Sequence, residues 1–156
     1  MSSPAATPPI SGTNAWYVAS GVLVLIAALL AWDHLIGNEG DSGDAFPVDL
    51  GAFVLSFALV LALALLVFGI LVPRALHAEG SVARYALIMA AVAVVTAPFL
   101  TWLGLPQVLA GGGLVLGLAA RATGHSRAGT VAAVLSLVVL VFGIAATAFP
   151  ADSAAD

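Results

Sequence analysis

Four long apolar stretches without a charged residue constrain this chain more than any other feature. They cover residues 15–32, 50–72, 85–103 and 128–149. A helix needs about 20 apolar residues to cross about 30 Å of hydrocarbon, so each stretch is long enough to span a membrane. A fifth stretch, residues 105–120, reaches only about 24 Å as a helix. It must therefore thin the bilayer, pack against neighbouring helices or form a re-entrant segment.

Composition argues against a water-soluble domain. Only 8% of the 156 residues are charged and 62% are hydrophobic, whereas a soluble domain carries about 25% charged residues. All four cationic residues are arginines and the net charge is -4, which argues against binding to nucleic acid. Cysteine is absent, which excludes disulfides and thiolate metal sites. We predict an all-α polytopic bundle in the plasma membrane, with a composition typical of a high-GC bacterial genome.

The arginines predict the orientation, because short cytoplasmic loops collect Lys and Arg. Arg74 and Arg84 lie in the connector after the second stretch, and Arg121 and Arg127 lie in the connector after the fifth. If these four residues are cytoplasmic anchors, the chain crosses twice between the connectors. We therefore predict five spans, with the N-terminus inside and the C-terminus outside. A four-span bundle with the two connectors on opposite faces is the alternative.

The acidic and aromatic residues agree with this orientation. Seven of the eight acidic residues fall on the predicted outer side, and only Glu79 falls inside. The seven are Asp33, Glu39, Asp41, Asp44, Asp49, Asp152 and Asp156. Aromatic residues group at the predicted boundaries, as interfacial belts do. They are Trp16, Tyr17 and Tyr85 at the inner face and Trp32, Trp102 and Phe149 at the outer face.

The two ends of the chain have a different character from its apolar stretches. Residues 1–14 and 150–156 are rich in proline and small polar or acidic residues, which cannot bury enough apolar area to offset the entropy of ordering. We predict that both segments are disordered. The first stretch lacks the basic n-region of a cleaved signal, so we interpret it as a retained span.

A run of glycines is the most unusual local motif. Gly113 and Gly117 form a G-x-x-x-G step, and Gly129 and Ala133 provide small residues on the next stretch. Such spacing lets two helix backbones approach closely in a membrane. We predict helix packing at these four positions, with a cofactor or lipid groove as the alternative for the glycine run.

Residues 106–149 combine a short glycine-rich stretch, a basic turn and a second apolar stretch. The residues that carry this pattern are Pro106, Gly113, Gly117, Ala120, Arg121, the connector 124–127 and residues 129–133. The pattern resembles the helical hairpin of a bacterial membrane family, domain of unknown function 4190. Val134 departs from it, because the family has a further small residue there. The resemblance implies a hairpin with a cytoplasmic turn, and it implies no activity.

Asp33 and His34 precede an acidic loop, residues 38–44. Carboxylates and an imidazole at this spacing are possible ligands for Ca²⁺ or a transition metal. However, the spacing of a calcium loop is not met and only one histidine lies on this side. A solvated acidic loop explains the residues better, and we predict no metal and no other cofactor.

The third stretch contains a proline between two threonines. Pro98 should kink this helix and leave the Val94 carbonyl without its usual N–H donor. Thr96 is a candidate to satisfy the freed backbone. The alternative is that Thr96, Thr101 and Gln107 line a narrow polar path, with Gln107 at its outer mouth.

No ionisable residue lies deep in any apolar stretch. A charge near the middle of a span marks proton relays, voltage sensors and intramembrane catalysis, so these functions are disfavoured. His77 and His125 accompany the arginines, where they extend a basic surface suited to anionic lipid headgroups or an acidic partner. The sequence favours a non-enzymatic accessory or structural subunit that packs against other membrane proteins or against itself. A small homo-oligomeric channel or carrier is the alternative.

Overall fold

The computed structural model describes residues 12–35, 50–78 and 80–148, and the regular elements in these ranges are all helical. The helices are α1 (Gly12–Leu35), α2 (Leu50–Leu66), α3 (Val72–His77), α4 (Val82–Leu100), α5 (Leu105–Ala122) and α6 (Ser126–Ala148). A π-helical turn, Val67–Leu71, joins α2 to α3, and a 3-10 turn, Thr101–Leu103, follows α4. The predicted all-α class is therefore confirmed.

Four helical segments are long and apolar enough to cross a membrane. They are Val54–His77, Val82–Leu100, Leu105–Ala122 and Ser126–Ala146, and α1 adds a shorter apolar helix, Trp16–Leu29. These segments indicate a multi-pass membrane protein. The observed helices begin and end within a few residues of the predicted stretches, although α1 starts inside the predicted tail.

The second segment runs five residues past its predicted end because a π-helical turn accommodates Pro73. In a regular α-helix the proline ring would clash with the carbonyl four residues earlier, which is that of Gly69. The helical turn before the proline holds one extra residue, so the Val72 N–H bonds to the carbonyl five residues earlier, that of Val67. Pro73 then lies in the first turn of α3, where a proline is tolerated.

Helix α5 is the central element of the bundle. It packs most extensively against α4 and α6 and also contacts α1, α2 and α3. Of this candidate span, 67% is buried, against 22% to 39% of the other three. The short fifth stretch is thus one continuous helix of 18 residues, about 27 Å long, that is surrounded by its neighbours.

Two turns place α5 between its neighbours, and each depends on a glycine in the left-handed region. Gly104, with φ 73°, ends the 3-10 turn, and its N–H bonds to the Thr101 carbonyl at 3.0 Å. At the other end of α5, Gly124 has φ 92°. The His125 N–H bonds to the Ala120 carbonyl at 2.9 Å, and the Gly124 N–H bonds to the Arg121 carbonyl at 3.3 Å. This pair of bonds is a Schellman motif, which reverses the chain into α6.

Candidate functional site

The glycine run lies where several neighbouring helical elements converge on α5. A Cβ atom built on Gly111 would lie 2.8 Å from Cγ2 of Val22 in α1, and one on Gly112 would lie 2.7 Å from Cγ1 of Val67 in the π-helical turn. A Cβ on Gly113 would lie 2.6 Å from Oγ of Ser136 in α6. Successive residues of a helix point about 100° apart. The three glycines therefore face three different neighbours, whose side chains occupy the space beside them.

The seam between α5 and α6 brings together all four residues predicted to pack. A Cβ on Gly117 would lie 2.9 Å from both the Ala133 nitrogen and the Gly129 carbonyl oxygen. A Cβ on Gly129 would lie 2.5 Å from the Gly117 carbonyl oxygen. Gly113 faces the same helix one turn away, at Ser136. Backbone therefore meets backbone along this antiparallel seam, with no room for a side chain at Gly117 or Gly129.

The two threonines of the predicted polar path bond to their own helix. The Thr96 hydroxyl donates to the Val92 carbonyl at 2.8 Å and to the Ala93 carbonyl at 3.3 Å. Neither acceptor is the Val94 carbonyl, which is the one that Pro98 leaves without an N–H donor. The Thr101 hydroxyl donates to the Ala97 carbonyl. Both hydroxyls are thus bonded to backbone carbonyls near Pro98.

Gln107 lies inside the bundle rather than at an outer mouth. Its side chain is 1% exposed, and it packs on Gly143 of α6. Its Nε2 donates to the Thr101 carbonyl at 3.5 Å, whereas its Oε1 has no hydrogen-bond partner. Ser136 is fully buried and its hydroxyl is likewise without a partner. The sequence does not reveal Ser136 as a buried polar residue, because nothing in it shows which face of α6 meets α5.

The two arginine-containing connectors meet at one end of the bundle. A cavity of about 290 Å³ lies between them. It is lined by Leu76, Ala78, Gly80 and Val82 on one side and by Thr123 and His125 on the other. The four arginines, His77 and His125 are all exposed. Because the two connectors meet, the four arginines lie near the same end of the bundle.

Several predicted features fall on residues outside the described ranges. The acidic loop 38–44, residues 1–11 and the tail 150–156 are among them, as are the side chains of Asp33 and His34. The metal hypothesis at that loop stays a prediction. Within the described ranges, no three His, Cys, Asp or Glu residues group as metal ligands would.

Sequence reasoning missed the contact of α1 with α5. Ile26 is 1% exposed, and its Cγ2 would lie 2.7 Å from a Cβ on Gly104. Phe68, also 1% exposed, approaches Gly111 from the π-helical turn. Both residues sit in stretches that are apolar on every side, so their spacing carries no signal of burial.

Comparisons with family models, with curated proteins and with solved structures find no match to this chain. The resemblance of residues 106–149 to domain of unknown function 4190 therefore stays a prediction.

Proposed function

We propose that the chain is a non-enzymatic accessory or structural subunit of the plasma membrane that packs against other membrane proteins. In this proposal it has five spans, with the N-terminus inside and the C-terminus outside. The bundle supplies an apolar body against which other spanning helices can pack.

One observation carries the proposal: the outer surface of three helices is apolar, whereas the buried polar side chains are enclosed around α5. Large exposed apolar residues follow α2, α4 and α6. They include Leu55, Leu59 and Leu65 on α2, Ile88, Val95 and Phe99 on α4, and Val134, Val138 and Val141 on α6. Exposed alanines interrupt this surface at Ala62, Ala91 and Ala145. Small residues of this kind let a second helix approach closely within a bilayer.

The shared cavity supports the five-span topology. It joins the connector before α4 to the connector after α5, so α4 and α5 together make two crossings and return to the starting side. Because both connectors carry arginines, the positive-inside rule assigns this side to the cytoplasm. With α1 and the α2–α3 segment as two earlier spans, the N-terminus is also inside.

Purification from native membranes tests the proposed function. We expect the tagged protein to co-purify in mild detergent with at least one membrane protein in fixed stoichiometry. Three single variants then test the exposed faces separately: Ala62→Trp on α2, Ala91→Trp on α4 and Ala145→Trp on α6. We expect one of them to release the partner while the other two retain it, because a tryptophan blocks close approach only on its own face. Recovery of a lone monomer in several mild detergents and after chemical cross-linking would contradict the proposal.

A further inference from the structure

The cavity between the two connectors has the dimensions of a small binding site. Its volume of about 290 Å³ lies at the lower end of the range for small-molecule pockets, about 300 to 1,000 Å³. It suits a lipid headgroup or a small anion better than a large substrate. Its lining combines apolar residues, Leu76 and Val82, with the polar residues Thr123 and His125.

The four arginines lie close in the chain to residues that line this cavity, although none of them belongs to the lining itself. Each arginine lies two residues from a lining residue: Arg74 from Leu76, Arg84 from Val82, Arg121 from Thr123 and Arg127 from His125. The two connectors hold four arginines against one acidic residue, Glu79, which is a formal charge of +3 in a chain of net charge -4. An anion is therefore attracted to this end of the bundle more than to any other part of the chain.

The position of the cavity indicates a lipid rather than a soluble anion. Tyr85 follows Arg84 directly, is 44% exposed and lies on α4 where the exposed apolar surface begins. Tyrosine is enriched at the level of the lipid headgroups. Basic pockets between spanning helices at this level bind the phosphates of anionic lipids, and the apolar lining offers a surface to the glycerol and the first acyl carbons. The Thr123 hydroxyl already donates to the Ala119 and Ala120 carbonyls, which leaves the His125 ring as the polar side chain of the lining that can meet the phosphate. The exposed arginines nearby add positive charge outside the lining.

We propose that the cavity between the two connectors binds the phosphate group of an anionic membrane lipid. This site is independent of the proposed accessory function, since it requires only that the bundle lies in a membrane.

Native mass spectrometry of the purified protein tests this proposal. Phosphatidylglycerol and phosphatidylcholine with the same acyl chains are offered together, and we expect the wild-type protein to retain phosphatidylglycerol preferentially. An arginine near an anionic surface contributes about 1 kcal/mol, or about fivefold. The double variant Arg84→Gln, Arg127→Gln should therefore lower the preference about 25-fold, and the matched variant Arg84→Lys, Arg127→Lys should keep most of it. Both arginines are exposed, so neither exchange alters the packing of the core.

A second pair of variants separates a cavity from diffuse surface charge. Ala78→Trp fills the cavity without changing the charge, and Ala145→Trp places the same side chain near the C-terminal end of α6, outside the cavity lining. We expect Ala78→Trp to abolish the lipid preference and Ala145→Trp to leave it unchanged. Equal preference in both tryptophan variants would overturn the proposal, because the arginines would then act without a site. The arginine pairs still decide the question if Ala78→Trp does not fold: an unchanged preference in the glutamine pair would overturn it.

A third measurement distinguishes the two sources of phosphate. Inorganic phosphate is titrated against the protein with and without bound phosphatidylglycerol. We expect phosphate to displace the lipid only at high concentration, since it lacks the glycerol and acyl contacts. Displacement of phosphatidylglycerol by inorganic phosphate at equal affinity would show that the glycerol and acyl groups make no contact with the cavity, would identify a soluble anion as the ligand and would overturn the lipid proposal.

Discussion

The contact between Gly117 and α6 allows a quantitative test of the packing around α5. In Gly117→Ala the new Cβ would lie 2.9 Å from two backbone atoms, the Ala133 nitrogen and the Gly129 oxygen. Ordinary van der Waals contact begins near 3.4 Å, so α6 must move away by about 0.5 Å, the difference between these two distances. Neither atom can rotate aside, because both belong to the backbone. Overpacking of this kind costs about 1 to 3 kcal/mol.

Gly21→Ala is the matched control for this substitution. Gly21 lies in α1, and a Cβ built there has no neighbour within 4 Å. Both variants gain the same intrinsic helix propensity, about 0.8 to 1.0 kcal/mol in water. The difference between them therefore isolates the clash at the seam.

Unfolding in mixed detergent and SDS micelles, followed by circular dichroism, measures the two free energies of unfolding. We expect Gly117→Ala to be less stable than Gly21→Ala by about 1 to 3 kcal/mol, which is about 5- to 150-fold in the unfolding equilibrium constant. Equal stability of the two variants would show that the α5–α6 seam has space that the structure does not contain, and would refute the reasoning about the glycine run.

Three further predictions use the same chain. Gly104→Ala should destabilise the fold by about 1 to 2 kcal/mol for its left-handed φ and by more for its contact with Ile26 of α1, whereas Gly124→Ala should cost only the left-handed term. Unfolding curves compare the two variants, and an equal loss of stability would contradict the contact with α1. Ser136→Ala should stabilise the protein by about 1 kcal/mol, because it removes a buried hydroxyl without a partner, and a loss of stability would indicate that this hydroxyl is bonded. The chain has no cysteine, so the single variants His77→Cys and His125→Cys each carry one site for a maleimide label. Both cysteines should resist a membrane-impermeant maleimide in intact cells and react with it after permeabilisation. Labelling of only one of them in intact cells would refute the five-span topology.

Much of the helical architecture follows from the sequence, because a charge-free run of about 20 residues has few other stable forms. The location of the basic connectors at one end also agrees with the arginine pattern. The arrangement of the helices around α5 was beyond the sequence, since a helix that is apolar on all sides gives no periodic signal of its buried face. In water the exposed face of a helix would be polar. In lipid an apolar residue is acceptable on either face, so the sequence does not distinguish the exposed Val95 from the buried Ala93.

The candidate site shows the same division between local and long-range information. The glycines of the α5–α6 seam were recognised from spacing within one hairpin, because the packing rule for small residues is local. Gly111 and Gly112 meet residues of α1 and the π-helical turn, and such contacts join parts of the chain that no local pattern connects. The alternative prediction of a polar path places Gln107 at its outer mouth. The structure instead encloses it against Gly143, where a missing side chain on α6 makes room for the amide.

The burial of α5 has a consequence for how the protein is made. Among the candidate spans, α5 is the least apolar and the most enclosed by protein, so lipid alone is a poorer environment for it than for α4 or α6. The translocon would release such a segment slowly until α6 has been synthesised and can cover it. We therefore expect chains that end before residue 126 and have been released from the ribosome to leave α5 accessible to protease, and chains that include α6 to insert the hairpin as a unit.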